Sequence, residues 1–181
     1  QKCADEGANE YQIEESKKAI AHLDVILGDS DRLKAIAEDF VTHYEKRVSE
    51  GATVCGKAMV VVSNRKIAFE LYKYIRDIRP EWFEIRANTE EILPEKEKKE
   101  ILPIAKVNLV MTRAKDDEKE LWDLLGTDEY KKELDRQFKK PKSNFKIAIV
   151  VDMWLTGFDV PELDTMYSVS YTHLTLPTIC S

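Results

Sequence analysis

The sequence predicts an α/β fold in which a parallel sheet is flanked by helices. Three short apolar runs carry this prediction, at residues 58–62, 107–112 and 146–151. Each run is rich in β-branched side chains, which is typical of strands that are covered on both faces. Stretches of helical periodicity separate the runs, and strands that alternate with helices favour a parallel sheet with right-handed crossovers.

Two helices are predicted ahead of the first strand. Residues 11–27 carry apolar side chains at helical spacing. A longer amphipathic pattern follows Ser30, and we expect this serine to cap the helix because its hydroxyl can accept a backbone N–H of the first turn. Gly51 is expected to end that helix, since glycine tolerates the left-handed conformation that often follows a helix.

Helices are also predicted between the strands. Ser63 or Asn64 is expected to cap the helix that follows the first strand. Residues 116–139 predict a helix in two pieces hinged at Gly126. Residues 85–105 carry many charges of both signs, and we expect a solvated, partly helical surface loop there.

Composition narrows the possible functions. The chain has 181 residues, enough for one domain with a sizeable core, and a net charge of −6, which argues against a dedicated polyanion-binding domain but leaves room for a local basic groove. The cysteines at 3, 55 and 180 show neither metal-ligand spacing nor a disulfide framework. We therefore expect a cytoplasmic protein without a metal site, and the sequence contains no apolar run long enough to suggest a membrane partner.

The segment that follows the third strand carries the most chemistry. In open α/β sheets, ligands bind beyond the carboxyl ends of the strands. Asp152 and Asp159 offer acceptors there, Thr156 offers a hydroxyl, and Gly157 allows a close approach of the backbone. A structural turn in which Asp159 caps the next segment is the alternative that the chemistry alone leaves open.

A family resemblance rests on this segment. The stretch IAIVVDMWLTGFDVPELDTMY resembles motif V of superfamily 2 helicases and translocases, and more narrowly that of the R subunit of type I restriction enzymes. GKAMVVVSNRKIAFELY, residues 56–72, is similar to motif IV of the same family. The stretches at 32–47 and 107–117 also follow the family order, so the resemblance covers residues 10–167.

The resemblance implies a fold and a nucleotide. The fold is a RecA-like parallel sheet flanked by helices, the C-terminal motor lobe of a helicase, here truncated. In such motors ATP sits between two lobes, and the other lobe supplies the phosphate loop and the Mg²⁺-binding motif. This sequence has no GxxxxGK[ST] or GxGxxG motif. ATP and Mg²⁺ are therefore expected to be bound mainly by the lobe that this segment lacks.

The resemblance also assigns roles to residues of motifs IV and V. Gly157 and Asp159 fall on the positions that face the ATP cleft. Asp152, Met153 and Trp154 fall on positions that couple the cleft to the DNA track. The expected contacts with the DNA backbone are Ser63, Asn64, Arg65 and Thr156.

Partners and activity follow from the same resemblance. Double-stranded DNA and the specificity and methylation subunits of a restriction complex are the expected partners. The enzyme would be an ATP-dependent type I site-specific deoxyribonuclease. No catalytic residue is assigned within this segment, because the phosphate loop, the nuclease domain and the arginines of motif VI are missing from it. The isolated fragment is therefore expected to be inactive.

The predicted organisation has three parts. Residues 1–50 are expected to be a helical lead-in from the preceding lobe, and residues 51–167 the second motor domain. Residues 168–181 contain no acidic or basic residue in a chain that is 34% charged. We expect this tail to be foreign to the protein, with a last edge strand as the alternative, and the whole chain to be an internal piece of a longer motor.

Two alternative functions remain open at this point. The chain is also similar to the motor lobes of other superfamily 2 DNA helicases, such as those of excision repair, whose motif V shares a Gly–hydrophobic–Asp–hydrophobic–Pro core. A non-catalytic α/β module that binds a partner protein or a small molecule is the other. Intact motifs IV and V argue against that second alternative, and the missing phosphate loop fits it.

Overall fold

A four-stranded parallel sheet with helices on both faces confirms the predicted α/β class. The computed structural model describes residues 29–87, 100–151, 160 and 162–169. In chain order the elements are α1 (Ser30–Ser49), β1 (Ala58–Val62), α2 (Arg65–Ile78), a 3-10 turn (Pro80–Phe83), β2 (Val107–Val110), α3 (Lys119–Leu125), α4 (Asp128–Phe138), β3 (Ile147–Val151) and β4 (Thr165–Val169). This arrangement is consistent with part of a RecA-like lobe. The helix predicted at residues 11–27 lies outside the described residues.

The sheet has the order β2-β3-β1-β4, and all neighbouring strands are parallel. β1 lies between β3 and β4, and Val62 at its end is level with both Val151 and Val169. The carboxyl ends of these three strands therefore share one edge. We call it the carboxyl edge and the opposite one the amino edge.

Local side chains set the beginnings and ends of the helices. Asp29, not Ser30, caps α1, because its backbone is extended and its carboxylate accepts the N–H of Asp31, whereas Ser30 is already the first helical residue. Asn64 caps α2 as expected, with its Oδ1 2.9 Å from the N–H of Ile67. Gly51 follows α1 with a φ of +67°, a conformation that glycine adopts without steric cost.

Two apolar clusters hold the layers together. On one face of the sheet, α1, α2 and α3 pack on side chains such as Val60, Leu109 and Ile149. On the other face, Phe138 of α4 and Phe145 pack with the alternate strand residues. All five residues of β1 are buried, as predicted from its continuous apolar run.

The strand β4 was not predicted, and it joins the helix α1 to the sheet. Phe40 meets the ring of Tyr167 edge-on at 4.8 Å, and His43 Nδ1 lies 2.9 Å from the Tyr167 hydroxyl. β4 includes Ser168 and Val169, the first two residues of the segment expected to be foreign, and the rest of that segment lies outside the described residues. The proposed division at residues 50 and 167 stays a prediction.

The charged stretch at 85–105 differs partly from its prediction. Ile101, Ile104 and Ala105 are buried, so the expectation of a solvated loop is wrong for these residues. An isolated bridge between Arg86 and Ile104 fixes the end of the stretch before β2. The predicted hinge at Gly126 is confirmed, since α3 ends just before it and α4 begins two residues after it.

Candidate nucleic-acid interface

The carboxyl edge brings the predicted motif IV and motif V segments together. Val62 and Val151 are paired at the ends of two hydrogen-bonded parallel strands. Ser63 therefore leaves the sheet beside the end of β3, after which the predicted motif V continues in the sequence. Six candidate site residues of the predicted motif V lie outside the described part of the chain; these are Asp152, Met153, Trp154, Thr156, Gly157 and Asp159.

Ser63 and Asn64 have different surroundings at this edge. The amide oxygen of Asn64 is committed to capping α2. The Oγ of Ser63 is shielded from solvent and has no hydrogen-bond partner among the described residues. A buried hydroxyl without a partner is uncommon in folded proteins, and such groups often mark a place where a ligand or water supplies the bond.

Arg65 forms an ion pair with Asp117, whose side chain is buried. The Nη2 of Arg65 lies 2.7 and 2.5 Å from the two carboxylate oxygens, and its Nε lies 3.1 Å from Oδ1. Its Nη1 donates to the carbonyl of Thr112 at 2.6 Å. The Asp117 side chain is 4% exposed and that of Arg65 is 32% exposed. The pair ties the start of α2 to the loop after β2, and a DNA contact by Arg65 stays a prediction.

The loop after β2 contains functional candidates that the sequence analysis did not single out. Arg113 donates from Nε to the carbonyl of Trp122 at 2.8 Å, and its guanidinium carbon lies 4.8 Å from the Trp122 ring centroid. Trp122 is an exposed side chain on α3. An arginine directly after a predicted strand was the available signal, but nothing in the sequence connects it to a tryptophan nine residues later.

At the amino edge, Asp164 has a structural role. Its carboxylate accepts backbone N–H groups from Val54 at 2.7 Å, Cys55 at 3.1 Å and Lys57 at 2.9 Å. Burial, with the nearby Glu162 charge, raises the pKa of the Cys55 thiol. The three bonds fasten the loop before β1 to the start of β4.

Lys57 is a buried cation at the same edge. Its side chain is fully buried, and its ammonium group donates to the carbonyls of Phe138 and Lys140 at the end of α4. Burial, with a smaller contribution from the charge of Lys146, lowers the pKa of Lys57 to about 8. Carbonyls at a helix C-terminus carry partial negative charge, so they are suitable acceptors for this group.

Comparison with protein families identifies the chain. Residues 55–171 match the family model described as type I restriction enzyme subunit R domain 3, which is more than half of the chain. The chain belongs to this family. The resemblance to the R subunit that motifs IV and V predicted is thereby confirmed at the level of the family.

Two curated relatives support the assignment of the chain to the R subunit family. The HindI endonuclease subunit of a type I restriction enzyme from Haemophilus influenzae is 36% identical over 154 residues, which is 85% of this chain. A Methanocaldococcus jannaschii protein, provisionally described as a type I restriction enzyme MjaIXP endonuclease subunit, is 36% identical over 161 residues, or 88% of the chain. The chain spans 13% of the length of each relative. No solved structure matches the chain significantly.

Two kinds of structure are not found among the described residues. Across residues 29–87, 100–151, 160 and 162–169, no three His, Cys, Asp or Glu side chains come together in a way that could hold a metal ion. In the same part of the chain, no helix is both long enough and apolar enough to span a membrane.

Proposed function

We propose that this R subunit segment is part of the second RecA-like lobe of a DNA-translocating motor. The observation that carries the proposal is the level pairing of Val62 with Val151, which places the ends of the motif IV and motif V strands side by side. A motor lobe must contact nucleotide and DNA with loops from one edge of its sheet. That edge is where open α/β sheets bind ligands.

In this proposal, different segments of the full-length subunit have different roles. The described residues offer no phosphate loop and no metal cluster, so ATP and Mg²⁺ are proposed to be held mainly by another lobe. Bound ATP would supply the free energy for movement along DNA. Gly157 and Asp159 are proposed to line the cleft, Asp152, Met153 and Trp154 to couple it to the DNA, and Ser63 and Thr156 to contact the DNA backbone.

The proposed partners are double-stranded DNA and the specificity and methylation subunits of a type I restriction complex. The printed names of the two relatives support this, since both are endonuclease subunits of type I restriction enzymes. The setting is proposed to be the cytoplasm. Within this account the segment alone is inactive and the complete complex is an ATP-dependent endonuclease.

The test is DNA-stimulated ATP hydrolysis by the full-length subunit that carries this segment. Asp159→Ala is expected to lower the stimulated rate at least about tenfold, because a lost hydrogen bond to a charged group is worth roughly 1.5–3 kcal/mol. Asp135→Ala is the matched control, since Asp135 pairs with Lys139 on the surface of α4. Equal rates in the two variants would refute the assignment of motif V to the ATP cleft.

A further inference from the structure

Two arginines at the carboxyl edge differ in how much of their hydrogen-bonding capacity is used. Arg65 commits Nε, Nη1 and Nη2 to Asp117 and the Thr112 carbonyl. Arg113 commits only Nε, to the Trp122 carbonyl. Its two terminal nitrogens have no hydrogen-bond or ion-pair partner among the described residues. A guanidinium of that kind retains the pair of donors that grips a phosphate.

The Arg65–Asp117 pair explains why Arg113 keeps its charge unneutralised. Asp117 lies on the same loop as Arg113 and is the buried carboxylate nearest to it in sequence. Its oxygens already accept from Arg65 and from the N–H of Ala114 at 2.7 Å. Because the bonds from Arg65 and Ala114 occupy both oxygens of Asp117, this buried acid is not available to pair with Arg113.

Trp122 holds the Arg113 guanidinium in place. The ring lies under the guanidinium at 4.8 Å while its backbone carbonyl fixes Nε, so stacking and hydrogen bonding act on one group. Leu121 and Leu125, on either side of Trp122 in α3, are buried in the core and make the platform rigid. Stacking uses the face of the guanidinium and leaves its terminal edge available.

The position of Arg113 fits the proposed DNA track. The Arg65–Thr112 bond of 2.6 Å joins the residue before Arg113 to the start of α2, next to Ser63 with its unpartnered hydroxyl. The exposed Lys115 adds a second positive charge. Asp116 and Glu118 are exposed acids on the same loop, so this edge is not a broad basic groove. It is suited to contact one or two phosphates on one strand of a duplex.

We propose that Arg113, held on Trp122, is a phosphate contact of this lobe on the backbone of duplex DNA, and that Arg65 is the structural arginine of the same edge. The inference rests on the proposed motor function and names the residue that touches the polymer. Trp122 is a positioning residue in this account. The role assigned to Arg65 by resemblance is thereby transferred to Arg113.

The test measures the salt dependence of DNA binding by the full-length subunit. Binding to a short duplex without a recognition sequence is followed by fluorescence anisotropy across a series of NaCl concentrations. Arg113→Gln is expected to weaken binding about threefold to tenfold. It should also reduce the slope of log K against log salt by about 0.9, because one counterion-releasing contact is lost. Arg136→Gln is the control, since Arg136 is exposed on α4 and pairs with Glu133.

Four further variants separate a direct contact from a structural effect. Arg113→Lys should keep the wild-type slope but bind more weakly, because lysine keeps the charge and loses the planar fork. Trp122→Leu should weaken binding, and Trp122→Phe should restore much of it, since phenylalanine keeps an aromatic face. Arg65→Gln/Asp117→Asn, which removes the ion pair as a unit, should leave the slope unchanged.

The outcomes distinguish the inference from the function on which it rests. A wild-type subunit that binds no duplex would overturn both. A wild-type subunit that binds, with an unchanged slope in Arg113→Gln, would overturn the role of Arg113 alone. A reduced slope in Arg65→Gln/Asp117→Asn, with an unchanged slope in Arg113→Gln, would return the contact to Arg65.

Discussion

The two edges of the sheet are built from similar residue types but use them differently. At the amino edge, Asp164 accepts three backbone amides and the buried Lys57 donates to two carbonyls at the end of a helix. At the carboxyl edge, one ion pair between Arg65 and Asp117 is similarly saturated. Next to it, the Ser63 hydroxyl and the terminal nitrogens of Arg113 have no partner among the described residues.

This difference indicates which edge is maintained for stability and which for binding. Polar groups that satisfy one another lower the free energy of the folded state and have no capacity left for a ligand. Polar groups that are rigidly held but unpartnered cost stability unless something binds to them. The amino edge is therefore expected to respond to substitution mainly in stability, and the carboxyl edge, away from its ion pair, mainly in function.

The largest effect on stability is expected at the one saturated pair of the carboxyl edge. Arg65→Gln should lower the free energy of unfolding by about 2–4 kcal/mol, because it leaves the Asp117 charge buried without a cation. Asp117→Asn should cost less, since Arg65 is 32% exposed and can be hydrated. Urea unfolding of the chain, followed by circular dichroism, measures both.

A double-mutant cycle sharpens the Arg65 prediction. The Arg65→Gln/Asp117→Asn variant should be more stable than the sum of the single losses implies, because the unpaired buried charge is absent. Arg136→Gln serves as the control, with an expected change below about 0.5 kcal/mol for an exposed pair. Additive losses in the cycle would show that the pair has no energetic coupling.

At the amino edge, Asp164→Ala is expected to lower the free energy of unfolding by roughly 2–3 kcal/mol, since it removes the acceptor of three N–H groups. Glu162→Ala is the matched control. Its carboxylate lies 3.7 Å from the Cys55 thiol and accepts none of those amides. If both variants unfold at the same urea concentration, Asp164 does not hold the loop.

A smaller effect should appear as a pH dependence of stability. The pKa of Lys57 in the folded protein, about 8, lies below the ordinary lysine value. Between these two values the unfolded chain binds more protons, so stability rises with pH across that window. Relative to Lys57→Met, the wild-type chain should gain about 1 kcal/mol between pH 7 and pH 9. A difference that stays constant with pH would show that the ammonium group is not destabilised by burial.

Much of the fold followed from local patterns in the sequence. β1 and α2 were predicted because a continuous β-branched run, a capping Asn64 and an amphipathic period all agree. β4 was missed because its burial alternates and its polar residues resemble those of an edge strand or a loop. Its pairing with β1 comes from distant residues, which no local pattern encodes.

The site could be predicted less completely than the fold. The sequence placed Ser63, Asn64 and Arg65 at the end of a strand, and the structure brings them to the edge where the motif V strand ends. The sequence could not show that Arg65 pairs with Asp117, because the two residues are 52 positions apart. For the same reason the Arg113–Trp122 pair was absent from the prediction, while residues 152–159 remain predictions throughout.

The most direct test of the contrast between edges compares two serines in the full-length subunit. Ser143 is buried at the amino edge, and its Oγ accepts the N–H of Phe145 at 3.2 Å, whereas the Oγ of Ser63 has no described partner. The measurement is DNA-stimulated ATP hydrolysis alongside thermal unfolding. Ser143→Ala should lower stability by about 1 kcal/mol and leave the stimulated rate unchanged, while Ser63→Ala should lower the rate and leave stability equal or slightly higher. A Ser63→Ala subunit with a wild-type rate and a reduced stability would contradict the account.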